Sequence, residues 1–593
     1  MLENSVEGRV LPLICLLLFL LVGVLPCPAL AADPLRLEIR GVSGDALDNV
    51  RAALSFPPGL VKDGTVDRRW LDRFVGQVPE KVRRALQPFG FYSATIGVDL
   101  VTEAAGVQVL KVSIEPGPPV RLSRVRTDIE GIGAERLKRR NLSRDFPLRQ
   151  GDVLHQGRYE NGKKELLDRA VNLGYLDASF PVHEIRVDVE KNTAEIDLVL
   201  ETGPRYRFGE VSFSGADNYP EPFLRRYLAF EPGDVFSHAT LGQSQVNYLD
   251  SDRFEEVRLL PDRAAADQDH IPIEVELKPS PSKRLRPGIG YGTDTGARAT
   301  LLFENLNLFR RGHELHLELN LAQMRQSAGA AYILPDLENL HSFTAFRTGY
   351  EAEDVDTFET EKYTVEAERT RDFGRGRKGS VYLQLLVENF TVGEQRDTAR
   401  MLIPGVRYSR RRYREIVRPR KGYQYALEVR GGHQYLGSDT GLLQVLASGN
   451  LLVPLPARLS LFMRVEGGTT LQNEPLRDIP VSLRFFAGGD QSVRGYAYQS
   501  LGPEDDEGDV VGGKHLLVGS IELERAIGEN WGVAAFFDVG NAFNSYTSPD
   551  LFKGAGIGGR YYTPVGPVRL DLARQIGVDD PGYRIHVSIG FGW

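Results

Sequence analysis

Residues 583–593 read Tyr583-Arg584-Ile585-His586-Val587-Ser588-Ile589-Gly590-Phe591-Gly592-Trp593, with an apolar residue at every second position. Because successive side chains of a β-strand point to opposite faces, this stretch predicts a strand with one apolar face and one polar or small face. In a soluble β-sandwich the apolar face would pack against a core, whereas in a transmembrane barrel it would face lipid. Trp593 would then belong to the aromatic girdle of the barrel.

Two stretches upstream show the same alternation and carry charge on the opposite face. In the nearer one, the apolar residues Val568, Leu570 and Leu572 alternate with Arg569, Asp571 and Ala573. In the farther one, Val533, Ala535, Phe537 and Val539 alternate with a face that includes Asp538. A soluble β-sandwich remains the alternative, but charge on the inward face of successive strands favours the hydrated interior of a transmembrane barrel.

The barrel is predicted to occupy residues 282–593. Sixteen segments of alternating pattern can be laid out there, from Pro287–Thr293 and Ala297–Asn305 to Tyr583–Trp593. An even number of antiparallel strands returns both ends of the barrel to the same side of the membrane. The longest connection, at about 471–514, falls between the eleventh and twelfth segments.

The first half of the chain is a repeat array. The motif Glu115-Pro116-Gly117-Pro118 returns as Glu201-Thr202-Gly203-Pro204, and Lys278-Pro279-Ser280-Pro281 stands at the third equivalent point. A helical pattern and an aromatic turn precede each copy. A period near 80 residues, with a strand, two helices and two strands per unit, predicts three small α+β modules in series. Their expected spans are 32–117, 118–204 and 205–281.

The amino-terminal residues predict export. An apolar run at 11–25 has the length of a signal-peptide core, and Ala29-Leu30-Ala31 provides a small-residue cleavage site, so residues 1–31 are predicted to be a signal peptide. The acidic residues before the run fit this poorly, and an uncleaved anchor helix is the alternative. Both cysteines, Cys15 and Cys27, precede the expected cleavage site. The mature chain would therefore have no disulfide, thiol nucleophile or thiolate metal ligand.

Composition narrows the class further. The formal net charge is −8, which gives no support for nucleic-acid binding. No other stretch of about 20 apolar residues exists that could form a membrane-spanning helix. An exported chain with many short alternating segments is therefore expected to be periplasmic or a barrel, and its second half favours the barrel.

Three such modules followed by a 16-stranded barrel resemble the POTRA-barrel superfamily, whose members insert or secrete proteins at outer membranes. The long connection carries the most specific motif, Phe485-Phe486-Ala487-Gly488-Gly489-Asp490-Gln491-Ser492-Val493-Arg494-Gly495-Tyr496. It resembles the loop-six motif of the superfamily, whose centre is Val493, Arg494, Gly495 and Tyr496. Its extension Tyr498–Pro503 is similar to the outer-membrane subunits of translocation and assembly modules, as are the stretches 288–296, 538–543 and 562–567.

The resemblance implies that Arg494 pairs with Asp538 and holds the long connection inside the barrel. Strand alternation independently points Asp538 inward. A guanidinium and a carboxylate can form two parallel charge-assisted hydrogen bonds. The alternative is that Arg494 is a solvated loop arginine.

The resemblance also draws attention to the seam, where the first and last barrel strands meet. The first strand carries Gly288, Gly290 and Gly292, and the last strand carries Gly590, Gly592 and Trp593. Glycine weakens strands, so the closing pair could open and present a template to an incoming strand. The alternative is that the glycines only relieve crowding in the lumen. The resemblance favours a lateral gate.

Other motifs are weak. Residues 157–163 and 508–514 match most of a phosphate loop but lack the final Ser or Thr, and 554–559 fits a dinucleotide fingerprint inside a predicted strand. His313 and His316 have no further ligands nearby in the sequence. We therefore expect a protein that is not an enzyme, with no catalytic residues, metal or cofactor.

Three classes of function remain. The first is an insertion machine for outer-membrane proteins such as autotransporters, with periplasmic modules, outer-membrane lipid around the barrel and unfolded outer-membrane proteins as substrates. The resemblance implies an inner-membrane-anchored, periplasm-spanning (TamB-like) partner for this class. The second is a two-partner-type pore that secretes an extended polypeptide through the lumen. The third is a passive porin, for which three modules would have no evident use.

Overall fold

A computed structural model describes residues 34–62, 65–103, 107–139, 145–413, 421–472, 475–547, 549–563 and 566–589. The predicted signal peptide lies outside these ranges, as do Gly590, Gly592 and Trp593. No helix in the described ranges is long and apolar enough to cross a membrane.

The first module packs two helices on a three-stranded sheet. Its elements are β1 (Leu35–Arg40), α1 (Gly44–Ala53), β2 (Val61–Lys62), β3 (Thr65–Val66), α2 (Arg68–Leu86), β4 (Thr95–Thr102) and β5 (Gln108–Glu115). The sheet order is β1-β5-β4, with β1 parallel to β5. The side chain of Asp67 caps α2 by accepting hydrogen bonds from the backbone of Arg69 and Trp70. The helix then buries Phe74, Val78 and Val82 against the sheet.

The second module repeats this arrangement. Its elements are β6 (Arg121–Glu130), α3 (Ala134–Arg139), α4 (Gln156–Asn172), β7 (Ser179–Asp188) and β8 (Thr193–Glu201), with sheet order β6-β8-β7. Gly90, at the aromatic turn of the first module, accepts a hydrogen bond from Val120 on its carbonyl. Gly90 has a φ of +86°, and a Cβ there would stand 2.8 Å from the Leu154 carbonyl. This close approach explains why glycine occupies the turn at position 90.

The third module lies against one end of the barrel. Its elements are β9 (Arg207–Ser214), α5 (Glu221–Arg225), α6 (His238–Leu249), β10 (Phe254–Pro261) and β11 (His270–Pro279), with sheet order β10-β11-β9. Arg226 donates to the carbonyl of Leu340 at 2.7 Å, and Arg253 donates to Glu314 at 2.6 Å. The barrel end that these contacts define is called the module end below.

Sixteen antiparallel strands form a closed barrel. They are β12 (Lys283–Gly292), β13 (Gly296–Leu308), β14 (His313–Ala322), β15 (Arg325–Pro335), β16 (Phe343–Val355), β17 (Phe358–Asp372), β18 (Arg377–Val392), β19 (Gln395–Tyr413), β20 (Gly422–Gly432), β21 (Leu442–Leu455), β22 (Leu459–Leu471), β23 (His515–Ile527), β24 (Trp531–Phe543), β25 (Phe552–Thr563), β26 (Gly566–Ile576) and β27 (Tyr583–Ile589). The predicted fold class, three α+β modules and a 16-stranded barrel, is confirmed. The longest connection joins the eleventh barrel strand, β22, to the twelfth, β23, as predicted.

The predicted bounds of the first two barrel strands, Pro287–Thr293 and Ala297–Asn305, differ from the observed Lys283–Gly292 and Gly296–Leu308. The first barrel strand was expected to begin at Pro287, and it begins at Lys283. Proline is usually confined to sheet edges because it has no N–H to donate. Pro287 instead lies within β12, opposite Leu301 of β13.

The two faces of the barrel wall differ in polarity. Outward residues of β18 such as Val381, Leu383 and Leu385 are exposed, whereas inward residues such as Glu388 and Asp538 are buried. Inward charges form ion pairs, for example Arg347 with Glu366 at 2.8 Å. An apolar outer surface around a charged interior is the distribution expected of a barrel in lipid.

We predict that residues 283–593 refold alone in detergent as a heat-modifiable barrel, and that residues 34–280 are water-soluble with mixed α/β circular dichroism. The physical reason is that the outward apolar alternation is confined to the barrel strands. Electrophoresis of heated and unheated samples and sedimentation without detergent provide the measurement. A water-soluble, monomeric carboxy-terminal fragment would contradict the membrane assignment.

Candidate functional site

The described part of the long connection, residues 475–514, folds back into the barrel. Its short 3₁₀ segments Leu476–Asp478 and Val481–Leu483 place Ile479 and Leu483 against Leu386, Met401, Ile403 and Leu442 of the barrel wall. Val481 packs in a neighbouring cluster with Phe358 and Phe390. Burial of these apolar groups favours the inward position of the connection.

Hydrogen bonds fix this first part of the connection. Glu388 of β18 accepts from the backbone N–H of Ser482 at 3.0 Å and from its hydroxyl. Arg484 donates to the carbonyls of Ile479 at 2.9 Å and Val511 at 3.1 Å, so it ties the outgoing and returning arms together. The charged and polar groups that the fold buries here therefore have partners.

Arg494 binds Asp538 through a bidentate ion pair. Its Nε donates to Oδ2 of Asp538 at 2.7 Å and its Nη2 donates to Oδ1 at 2.9 Å. The backbone N–H of Arg494 adds a third hydrogen bond to the same carboxylate at 3.1 Å. The Asp538 side chain is fully buried, so the pair is shielded from water. The structure thus brings together the two residues that the resemblance paired.

The ion pair belongs to a larger cluster, which we call the arginine cluster: Arg494, Asp538, Glu522, Asp571 and Arg560. Nη1 of Arg494 lies 2.8 Å from Glu522 and 3.1 Å from Asp571. Arg560 binds the same two carboxylates from β25. Two guanidinium groups thus face three carboxylates, and the connection is joined to β23, β24 and β26. Phe536 contributes its ring face, 3.4 Å from the guanidinium carbon of Arg494.

The neighbours of Arg494 in the loop-six motif have separate contacts. Val493 is fully buried, and the Tyr496 ring packs at an edge against Phe552 with centroids 5.4 Å apart. Gly495 has a φ of +102°, a conformation that favours glycine, and its N–H donates to Nε2 of His586 at 3.0 Å. The motif therefore reaches β27, the last strand of the barrel.

The same connection also reaches the first strand. The backbone N–H of Asp490 donates at 2.6 Å to Asp294, in the turn that follows β12. With the bond from Gly495 to His586, the connection holds both strands of the seam. Among the described residues, β12 and β27 share one register pair, Gly292 with Ser588. Thr293 adds a hydrogen bond to the Val587 carbonyl at 3.1 Å.

The seam glycines of β12 face the lumen. Gly288, Gly290 and Gly292 lie opposite inward residues of β13, while Ile289 and Tyr291 point outward. At Gly290 a Cβ would stand 2.6 Å from Nε of Arg298. The Arg298 side chain passes over this glycine and donates to the carbonyl of Ile589 at 2.7 Å. A side chain of the second strand thus spans the first strand and holds the last one.

Sequence reasoning missed part of this site. The inward position of Asp571 was predicted from alternation, but its role as a partner of Arg494 was not. Glu522, Arg560, His586, Asp294 and Arg298 were not singled out, although the first three sit on inward positions of alternating strands. His313 and His316 lie in β14, where they bond Tyr332 and Glu314. In the described ranges no cluster of three or more His, Cys, Asp or Glu side chains could hold a metal ion.

Comparison with protein families gives matches along most of the chain. Residues 307–593 match the Omp85 superfamily domain. Residues 36–116 match the first POTRA domain of TamA, and residues 126–203 and 206–280 match the POTRA surface-antigen repeat. The chain belongs to the Omp85 superfamily. As an Omp85 protein it places its barrel in the outer membrane and its POTRA modules in the periplasm.

Curated relatives and one solved structure agree with this assignment. The chain is 22% identical over 501 residues to outer membrane protein assembly factor BamA of Nitratidesulfovibrio vulgaris, across 81% of this chain and 62% of the relative. It is also 22% identical to BamA of Neorickettsia risticii, across 76% of this chain and 63% of the relative. The chain thus spans about three fifths of these relatives.

A crystal structure of BamA from Haemophilus ducreyi lacking POTRA domains 1–3 shares the fold. Its TM-score is 0.66 at 16% identity, and the match covers 79% of this chain and 99% of that one. At this identity the likeness concerns the fold alone.

We predict that Arg494→Ala lowers the free energy of unfolding of the barrel by about 3–5 kcal/mol, because it leaves the buried Asp538 carboxylate without its partner. The connection should also become sensitive to protease within residues 485–503. Urea unfolding and limited proteolysis measure the two effects. Asp538→Ala should behave alike, and the double variant should be no worse than either single one.

Arg477→Ala is the matched control, since Arg477 lies in the same connection with an exposed side chain. It should leave both measurements unchanged. Additive losses in the Arg494/Asp538 double variant would show that the two residues do not act as a pair.

We predict that Arg298→Ala loosens the seam. Loss of one hydrogen bond, worth about 1 kcal/mol, should speed amide exchange in the 286–293 segment about fivefold, as measured by hydrogen–deuterium exchange. Thr300→Ala is the control, because Thr300 is the next inward residue of β13 and bonds Asn320 of β14 instead. Equal exchange in the Arg298 variant and the wild type would show that this bond does not hold the seam.

Proposed function

We propose that this Omp85 protein is the outer-membrane subunit of a translocation and assembly module, which inserts or secretes outer-membrane proteins such as autotransporters through a lateral opening at its seam. In this mechanism an unfolded substrate strand pairs with an exposed edge of β12 or β27. The proposed activity needs only backbone hydrogen bonds and a protected path into lipid. It uses no catalytic group, metal or cofactor.

The short register between β12 and β27 among the described residues supports this proposal. Neighbouring barrel strands pair over long stretches, for example fifteen register pairs between β17 and β18, whereas β12 and β27 share one in the described residues. Strand β12 ends at Gly292, so the stretch of β27 before Val587 has no partner on β12. A row of unpaired N–H and C=O groups is a template for another strand.

The match of the first module supports the particular subunit and its partner. Residues 36–116 match the first POTRA domain of TamA rather than the general repeat that the other two modules match. We infer that an inner-membrane-anchored, periplasm-spanning (TamB-like) partner docks on this module. Such a partner should co-purify with the full chain from native membranes and be lost when residues 34–115 are deleted. Unchanged co-purification would refute the docking site and leave the seam mechanism standing.

A secretion pore through the lumen is the second candidate. It is favoured by a cavity of about 710 Å³ inside the barrel, lined by Arg464, Arg494, Glu522 and residues near the module-end turns. The buried packing of Ile479, Val481 and Leu483 against the wall opposes it, since a polypeptide could pass only if the connection left the lumen.

We predict that a disulfide across the seam abolishes assembly activity. Gly292→Cys and Ser588→Cys place the two thiols at the register pair, and oxidation should stop insertion of an autotransporter substrate into proteoliposomes. Reduction should restore activity. The measurement is protease-protected, folded substrate per unit time, scored together with the heat-modifiability of the barrel.

Val406→Cys with Val429→Cys is the matched control, because these residues are directly opposite on β19 and β20, away from the seam. Its oxidation should leave insertion intact. Full insertion with a completely crosslinked seam would exclude the lateral opening. The secretion pore would then be the favoured function.

A further inference from the structure

A group of arginines faces outward at the module end of the barrel. Arg371 is the last residue but one of β17, Arg377 begins β18, and Arg410 and Arg412 lie among the last four residues of β19. Their positions follow the outward rows of these strands, which continue as exposed apolar residues such as Val381 and Val406. The arginines therefore lie where the lipid-facing surface meets the periplasmic headgroups.

Among the described residues, these arginines concentrate positive charge without a carboxylate partner. Arg377 lies directly opposite Arg410 in the register of β18 and β19, an arrangement that repulsion destabilises. Among the described residues, none of the four arginines forms a salt bridge with an acidic side chain. Arg369 nearby, in contrast, is paired with Asp336. Nε of Arg410 is buried and has no hydrogen-bond acceptor among the residues that the structure describes. An anion from outside the chain would neutralise the facing charges of Arg377 and Arg410 and would give Nε of Arg410 an acceptor.

Aromatic side chains surround the group. The Arg410 guanidinium lies 5.4 Å from the centre of the Tyr423 ring, and Tyr425 stacks beside Tyr423 at 6.2 Å. Tyr408 lies 6.3 Å from Tyr425. Tyrosines at this level of a barrel belong to the membrane–water interface, where lipid phosphates are found.

The opposite end of the barrel has the opposite charge. Its connections include the acidic run Glu504-Asp505-Asp506-Glu507 and the pair Asp579-Asp580. The facing arginines Arg377 and Arg410 thus lie at the end away from these acidic connections, the end that faces the periplasmic leaflet.

We propose that Arg371, Arg377, Arg410 and Arg412 form a headgroup site for an anionic phospholipid of the periplasmic leaflet. A planar guanidinium can donate two parallel hydrogen bonds to a phosphate, and adjacent arginines on neighbouring strands can share one phosphate or take the two of cardiolipin. The bound lipid would neutralise the facing charges of Arg377 and Arg410. It would also anchor the barrel wall on the strands away from the seam.

The test is native mass spectrometry of the full-length protein in detergent, titrated with cardiolipin or with phosphatidylethanolamine. The wild type should bind cardiolipin and discriminate against the zwitterionic lipid. Each arginine near an anionic lipid contributes about fivefold in affinity, so Arg410→Gln with Arg412→Gln should weaken cardiolipin binding roughly 30-fold. Heat-modifiability shows that the variant barrel is folded.

Arg396→Gln with Arg400→Gln is the matched control. These arginines lie on the same outward row of β19, at its other end, opposite Thr391 and Val387 rather than another arginine. Cardiolipin binding should persist in this control, and inorganic phosphate should not displace it. An equal loss in both double variants, equal binding of phosphatidylethanolamine, or displacement by phosphate alone would each overturn the proposed lipid site.

Discussion

A guanidinium buried inside a barrel needs carboxylate partners to compensate its charge, and Arg494 contacts three carboxylates. Its bidentate bond to the fully buried Asp538 joins the long connection to the wall. Glu522 and Asp571 extend the contact to two more strands. Removal of one partner from such a cluster is costly because the remaining charge stays buried, so the cluster resists partial release of the connection.

The position of the connection determines what happens at the seam. Asp490, four residues before Arg494, holds the turn after β12, and Gly495, directly after it, holds β27. Among the described residues the seam has one register pair, and Arg298 adds a side-chain bond across Gly290. In the mechanism proposed above, the wall opens at this place while the other strands stay paired. The arginine cluster would then hold the seam closed through the connection.

The sequence alone predicted the secondary-structure elements and the inward position of Asp538, one of the two partners in the central ion pair. Strict alternation predicted that Asp538 faces inward and that the interior carries charge, because the period of two is independent of the partner strand. Alternation could not give the register between strands far apart in the chain. The contact between Asp294 and Asp490 spans 196 positions, and that between Arg298 and Ile589 spans 291. Such contacts depend on barrel closure, which no local pattern encodes.

We propose that the arginine cluster controls the seam through the connection. The most direct measurement is the distance between spin labels at Tyr291 and Ile585, which point outward on β12 and β27, in wild type and in Arg494→Ala, by pulsed electron paramagnetic resonance. The account predicts a narrow distance distribution in wild type and a broader one, shifted to longer distances, in the variant. The same narrow distribution in both proteins, with the connection released in the variant, would contradict it.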